Sequence, residues 1–370
     1  MNLSLTRHNN PRIVFNHSDK WKHYNIRKPY NSKTEEYQLS KYKIATIPGD
    51  GIGPEVMQAT VMTLRALAEK TGLELEFTLL MAGDAHKEKT GVSLPRETVE
   101  GVKVADACLF AAVGNTAKEV ILPLRQDLGL YANLRPAKAY PGVPALKPNT
   151  DIMIVRENTE CLYKMVGYRG DDFGVNLRII TTQASDRIVR YAFEHAMKNG
   201  RRKVTAVHKA NVLDYTDNVF LEAARAVAKE YPSITYDEQI VDACAMKLVL
   251  SPEQFDVIVT TNMFGDILSD EAAGLVGGLG LAPSGNVGDA KAIFEPVHGS
   301  APDIAGKGIA NPVATMLSAV MMLNWLGEPV AADRLEAAIL KVLREGRTKT
   351  PDLGGHSTTE DVADAVIAAM

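Results

Sequence analysis

The chain has 370 residues, of which 46% are hydrophobic and 23% charged, and its net charge is −4. This composition belongs to a folded globular protein and excludes a chain whose main business is holding nucleic-acid phosphates. The length implies two or three domains, no run reaches the ~18 apolar residues of a membrane span, and the three scattered cysteines (Cys108, Cys161 and Cys244) form neither a disulfide framework nor a zinc motif. They fit a reducing, cytoplasmic setting.

The first forty residues stand apart. They contain no Ala and no Gly, and hold seven Lys/Arg against three acids, a charge of +4, so the rest of the chain carries −8. Residues 1–41 are expected to form a poorly ordered N-terminal extension, in which His8, His17 and His23 are incidental. The segment lacks the apolar core of a signal peptide, and its basic excess leaves organellar import open.

From Tyr42 onward the pattern is that of an α/β protein. Lys43–Pro48 reads as a strand, Gly49–Gly53 as a glycine turn, and Pro54 opens a helix marked by Val56, Ala59, Thr60, Thr63 and Leu67. Further strands are expected at Ala107–Val113, Asp151–Val155, Val204–Val207 and Phe255–Thr261, with helices over Ser185–Lys198 and Asp217–Lys229 between them. Such alternation implies a substantially parallel sheet, and chemistry in these sheets sits just past the strands' C-terminal ends. Arg156, Lys209 and Asn262 occupy such places. The Gly/Pro-rich stretch from Gly265 to Asn311 reads on composition as a long surface loop, and so long a loop without a job is uncommon.

Several residues have two readings. Asp266 and Asp270 are four apart and share one face if helical, which suits a divalent cation; on spacing alone an acid-rich helix N-terminus capped by Asp266 is the favoured reading. Arg125, Arg135 and Arg156 flank segments that look internal and could clamp carboxylates, or be ordinary ion pairs. Lys209 could be a general base or an exposed strand-end lysine, and Tyr163 a proton donor or a packed ring. Gly49-Asp50-Gly51-Ile52-Gly53 has G-x-G-x-G spacing with no acid ending a second strand, so it is not the dinucleotide fingerprint of a Rossmann fold.

Taken together, IPGDGIGPEV (47–56), LRQDLGLYANLRPAK (124–138), VRENTECLY (155–163), HKANVL (208–213), IVDACAM (240–246), TTNMFGDILSDEAAGLVGGLGLAPSGNVGD (260–289) and FEPVHGSAPDIAGKGIANP (294–312) resemble the metal-dependent decarboxylating β-hydroxyacid dehydrogenases. That family comprises isopropylmalate, isocitrate, homoisocitrate and tartrate/malate enzymes, and the resemblance spans residues 42–370. It implies an isopropylmalate dehydrogenase-like two-domain α/β fold, with a larger cofactor-binding domain from 42–132 and 277–370 and a smaller dimerisation domain over 133–276. It also implies a homodimer, or a higher oligomer of dimers, with shared active sites and no nucleic-acid or membrane partner.

The resemblance assigns roles to the ambiguous residues. Asp266 and Asp270, with Asp242 from the partner subunit, become ligands of Mg²⁺ or Mn²⁺. Arg125, Arg135 and Arg156 become the substrate clamp, Lys209 (again from the partner) the base, Asn211 its support and Tyr163 the acid. Glu119, Gly288, Glu295, His298, Gly299, Ala301, Asp303, Ile304 and Asn311 match cofactor positions. Asp303-Ile304 stands where the family's NADP enzymes have Lys-Tyr, so the expected cofactor is NAD. Ile121 and Leu122, at the substrate's variable group, suit an isopropyl side chain. The expected reaction is therefore NAD-dependent oxidative decarboxylation of 3-isopropylmalate, a step of leucine biosynthesis. The runners-up are homoisocitrate, whose enzymes resemble HKANVL and 240–312, and isocitrate-, tartrate- or malate-type substrates. A catalytically inactive regulatory subunit is the remaining alternative. Cys161 replaces the family's usual Gly, and Pro123 departs from its pattern.

Overall fold

The computed structural model describes residues 40–370, so the expectations for residues 1–39 lie outside it. The first strand starts slightly earlier than expected, because Lys41 already belongs to it and pairs with Glu74.

The elements run in chain order as β1 (Lys41–Gly49), α1 (Gly53–Thr71), β2 (Glu74–Leu79), α2 (Asp84–Thr90), α3 (Arg96–Val104), β3 (Ala107–Ala112) and α4 (Ala117–Asp127). Next come β4 (Ala132–Lys138), β5 (Asp151–Glu157), the short hairpin β6 (Gly167–Arg169) and β7 (Gly174–Asn176), α5 (Thr182–Lys198), β8 (Lys203–His208), α6 (Asp214–Ala228), β9 (Thr235–Ile240) and α7 (Val241–Leu250). The chain closes with β10 (Val257–Thr260), α8 (Asn262–Val276), β11 (Pro283–Val287), β12 (Ala292–Pro296), α9 (Val313–Trp325), α10 (Pro329–Glu345) and α11 (Thr359–Ala369).

Ten strands form one sheet in the order β2-β1-β3-β12-β11-β4-β5-β10-β8-β9. The two flanks, β2-β1-β3-β12 and β5-β10-β8-β9, are internally parallel, whereas the central ladders β12/β11, β11/β4 and β4/β5 are antiparallel. The fold is thus α/β with a mostly parallel sheet, and its strand order is not that of a Rossmann fold.

Local sequence accounts for most elements. β3 is apolar throughout and wholly buried, as a strand covered by helices on both faces must be. α1 takes Pro54 in its first turn and stops at Gly72 in the left-handed conformation, and α11 starts on a capping box between Thr358 and Asp361. α9 is buried nearly all round and packs across β11 and β12 at the centre of the main core.

The reading of 265–311 as a surface loop is overturned. Its first part continues α8, and Pro283-Ser284-Gly285-Asn286-Val287 is the fully buried central strand β11. Small residues are needed there because a Cβ on Gly285 would come within 2.9 Å of the Phe294 ring. The expected strand at Lys43–Pro48 extends at both ends, and the other expected strands and helices all form. All three cysteines are free and buried, and no helix among the described residues is long and apolar enough to cross a membrane.

Candidate active site

The ends of β5 and β10 and the first turns of α8 build a charged cluster whose arginines are buried and whose carboxylates reach solvent. Arg156, only 1% exposed, pairs in register with Thr260 of β10 and Asn133 of β4. Its Nε and Nη2 donate to Asn262 Oδ1 at 3.1 and 2.7 Å, which turns Nη1 toward Asp266, to which it also donates. Arg135 on β4 reaches Asp266 at 3.2 Å and donates to Asp270 at 3.0 Å and Ser269 at 2.8 Å. The Tyr163 hydroxyl donates to the other oxygen of Asp266, and its ring lies 5.1 Å from the Arg156 guanidinium. Gly265 permits this approach, because a Cβ there would fall 2.6 Å from Arg156 Cγ.

Asp266 is therefore not a helix cap. α8 begins at Asn262 with Thr261 as its N-cap residue, and Asp266 sits a full turn inside, aimed at the arginines. The two α8 carboxylates are driven apart electrostatically. Burial alone would raise the Asp266 carboxyl, but Arg156, Arg135 and the Tyr163 hydrogen bond outweigh it and hold it below the usual range. At Asp270 burial prevails over Arg135, with repulsion from Asp266 adding, and its carboxyl is raised. Burial also raises the Tyr163 phenol, with the Asp266 hydrogen bond adding, against the pull of Arg156.

Arg125, buried in the last turn of α4, donates to Glu295 Oε1 at 3.0 Å. The same oxygen accepts from Asn286 at 2.7 Å, and Asn286 in turn accepts from Asn133 and Asn158, each at 3.0 Å. Ile121 and Leu122 are half-buried on the same helix, one turn before Arg125. Glu119, three residues ahead of Leu122, is fixed by Lys87 at 2.7 Å and Ser93 at 2.9 Å, and Lys87 holds its carboxyl below the usual range.

Lys209 follows β8 and donates through Nζ to Asp242 Oδ1 at 2.6 Å, in a pair of its own away from the α8 carboxylates. This contact lowers the Asp242 carboxyl. Asn211 is exposed beside it. Within one chain, then, Asp266 and Asp270 have no third acidic partner: among the described residues no cluster of three His, Cys, Asp or Glu occurs. Two oxygen donors on one helix face fit a hard divalent cation that draws its remaining ligands from substrate, water or a second chain.

The 288–311 segment lies against the first glycine turn. Ile52 donates to the Ser300 carbonyl at 2.9 Å, and a Cβ on Gly51 would come within 1.9 Å of that oxygen. Ala301 holds a positive φ of 39°, the His298 ring has a buried Nε2 with no partner among the described residues, and Asn311 donates to Asp352 at 3.0 Å. Gly299 and Asp303 are exposed and Ile304 is half-buried. Gly288 sits so close to the Gly129 carbonyl that a Cβ would approach it to 2.4 Å. An orphaned buried imidazole nitrogen beside exposed backbone and a free-standing carboxylate fits a nucleotide's polar edges. Glu295 connects this segment to the clamp through Arg125.

Some contributors gave no sign in the sequence. Asp50 of the glycine turn accepts from the backbone of Asp84, Ala85 and Gly114, which fixes α2 to the end of β3. Lys87, Ser93 and the Asn133-Asn158-Asn286 chain are likewise fixed by tertiary contacts alone. An acid inside a glycine turn is the one local signal that could have exposed Asp50.

The chain belongs to the isocitrate/isopropylmalate dehydrogenase family, whose profile matches residues 43–366, and is accordingly a decarboxylating dehydrogenase. It is 54% identical over 328 residues to a 3-isopropylmalate dehydrogenase of Archaeoglobus fulgidus, an alignment covering 89% of this chain and 99% of that enzyme. An isocitrate/homoisocitrate dehydrogenase of Thermus thermophilus is 52% identical, with 89% and 98% covered. The solved isocitrate dehydrogenase of Methylococcus capsulatus superposes with a TM-score of 0.85 at 44% identity, covering 89% of this chain and 99% of that one.

Proposed function

We propose that the protein catalyses the NAD-dependent oxidative decarboxylation of 3-isopropylmalate to 2-oxo-4-methylpentanoate, the leucine-pathway reaction, as a homodimer. Relatives of almost equal identity carry different substrate names, so the site must make the choice. The carrying observation is the buried arginine cluster with aliphatic Ile121 and Leu122 one turn away on the helix of Arg125. A third substrate carboxylate at those side chains would need a cation, and Lys87, the ammonium bound at the start of that helix, is already neutralised by Glu119 at 2.7 Å.

The residues divide the work as follows. Arg125, Arg135 and Arg156 hold the two substrate carboxylates by charge-assisted hydrogen bonds. Lys209 from the second subunit removes the C2 hydroxyl proton, with Asn211 beside it. Tyr163 carries its phenol proton at neutral pH, as an ordinary tyrosine does, burial raising it further, and it delivers a proton to C3 after CO₂ leaves. Asp266 and Asp270, with Asp242 of the second copy, are the residues to hold Mg²⁺ or Mn²⁺; His298, Gly299, Ala301, Ile304, Asn311, Gly288 and Glu295, with Glu119 of α4, are those to hold NAD. When bound, the cation lowers the hydroxyl pKa and steadies developing negative charge, while the nicotinamide accepts hydride. Asp303 is the residue that would accept from the ribose hydroxyls of a bound cofactor and would repel a 2′-phosphate, which favours NAD over NADP.

The dimer reading draws support from exposed apolar side chains on α7 (Met246, Val249, Leu250), α8 (Ile267) and the β6–β7 hairpin (Tyr168, Phe173, Val175). A kcat/KM panel with 3-isopropylmalate, homoisocitrate, isocitrate, malate and tartrate tests the reading. A preference for a tricarboxylate would replace the substrate, and no NAD reduction with any of them would favour a regulatory subunit.

A further inference from the structure

A buried ion pair that touches no expected ligand lies between the segments that carry the reaction. Asp217, in the first turn of α6, is 0% exposed. Its Oδ2 accepts the backbone N–H of Lys209 at 2.6 Å, and its Oδ1 accepts from Arg178 Nη2 at 2.5 Å. Arg178 has two further attachments. Nη2 donates to the Thr261 hydroxyl at 3.1 Å, and Nη1 to Cys161 Sγ at 3.0 Å. Its guanidinium also lies 4.7 Å from the centre of the Phe264 ring.

Each attachment leads to a different catalytic segment, Lys209 serving the site of the second copy and the others the site of this chain. Lys209 is the proposed base. Thr261 is the N-cap residue of α8 and Phe264 lies in its first turn, ahead of Asp266 and Asp270. Cys161 precedes Tyr163 by two residues and holds a positive φ of 68°, a conformation that fixes the direction of the chain entering the tyrosine turn. A buried ion pair contributes little net stability beyond an apolar pair of the same volume, yet leaving one partner alone is strongly destabilising. Its directional bonds are what an apolar pair could not supply.

We propose that Arg178 and Asp217 are positioning residues that set the Lys209 backbone against α8 and the Tyr163 turn. This rests on Lys209 being the base, so the test includes a readout independent of turnover. The variants are Asp217→Asn, Arg178→Met and the double variant, which removes both buried charges together. Each single variant is expected to lose 10- to 100-fold in kcat, with KM for NAD within twofold and a lowered melting temperature. The double variant is expected to recover the melting temperature and to remain at least tenfold low in kcat. Brief acetylation of the folded proteins, read at the Lys209 peptide by mass spectrometry, is expected to be at least fivefold faster in the double variant than in the unaltered chain. Recovery of kcat together with melting temperature, or unchanged Lys209 labelling, overturns the positioning role. Failure of the unaltered chain to turn over 3-isopropylmalate counts instead against the proposed reaction, and the labelling still decides this one.

Discussion

Asn262→Asp separates the charge of Arg156 from its geometry. Asn262 Oδ1 receives both Nε and Nη2 of Arg156, while its own Nδ2 is buried with no partner among the described residues. Replacing that NH₂ by a carboxylate oxygen therefore breaks no hydrogen bond, and the new charge is shared with the oxygen that already receives both guanidinium donors. Folding stability should change by no more than about 1 kcal/mol, because the new charge arrives already paired. Substrate binding should suffer much more. A negative charge about 6 Å from a bound carboxylate, at an effective dielectric of about 20, opposes it by about 3 kcal/mol, or roughly 100-fold. Steady-state NAD reduction against 3-isopropylmalate should show this loss mainly in KM, with urea unfolding recording stability. Asn262→Ala provides the contrast: it strands two buried donors and should destabilise the fold by about 2–4 kcal/mol. A folded Asn262→Asp enzyme with KM within twofold of the parent would refute the reasoning, because the charge of Arg156 would then not be what holds substrate.

Asp266→Asn should abolish Mg²⁺-dependent turnover by more than about 10³-fold while the protein stays folded, as circular dichroism and turnover assays would record. Ile121→Ala removes three methylene-sized groups beside the clamp; kcat/KM for 3-isopropylmalate should fall about tenfold and that for malate hardly at all, and equal losses would displace Ile121 from the alkyl pocket. His195 is pressed down to about 4 by burial and by Arg201 and Lys198. Its folded pKa lies below the unfolded value, so the unfolded chain binds the proton first and stability falls as pH drops from 6.5 toward 4. The shift corresponds to about 3 kcal/mol, reduced to about 2 by partial exposure of the ring. Urea midpoints across that range should flatten in His195→Gln.

Much of the fold was legible because its buried parallel strands are uninterrupted apolar runs, as at Ala107–Ala112 and Val257–Thr260. β11 was not, since Pro283, Ser284, Gly285 and Asn286 resemble a loop, and only Phe294 and α9 pressing on them make small residues the right choice. Pro123 within α4 hid that helix in the same way. For the site, the four-residue spacing of Asp266 and Asp270 suggested a shared face, but spacing alone favoured a cap, and the start of α8 at Asn262 decides against it. The place of Asn262 past a strand end was readable, whereas its grip on Arg156 from 106 residues away was not. Arg178 and Asp217 lie 39 residues apart and carry no local pattern, so their pairing exists only in three dimensions.

The unbroken sheet has a mechanical consequence. Its flanks meet across β12, β11, β4 and β5, four strands bonded edge to edge and reinforced at their core by Asn133, Asn158, Asn286, Glu295 and Arg125. Rocking one flank against the other cannot be a free swivel about a slack linker. It must twist a bonded ribbon, which stores the work and returns it, so the sheet behaves as a leaf spring stiffened by buried polar side chains.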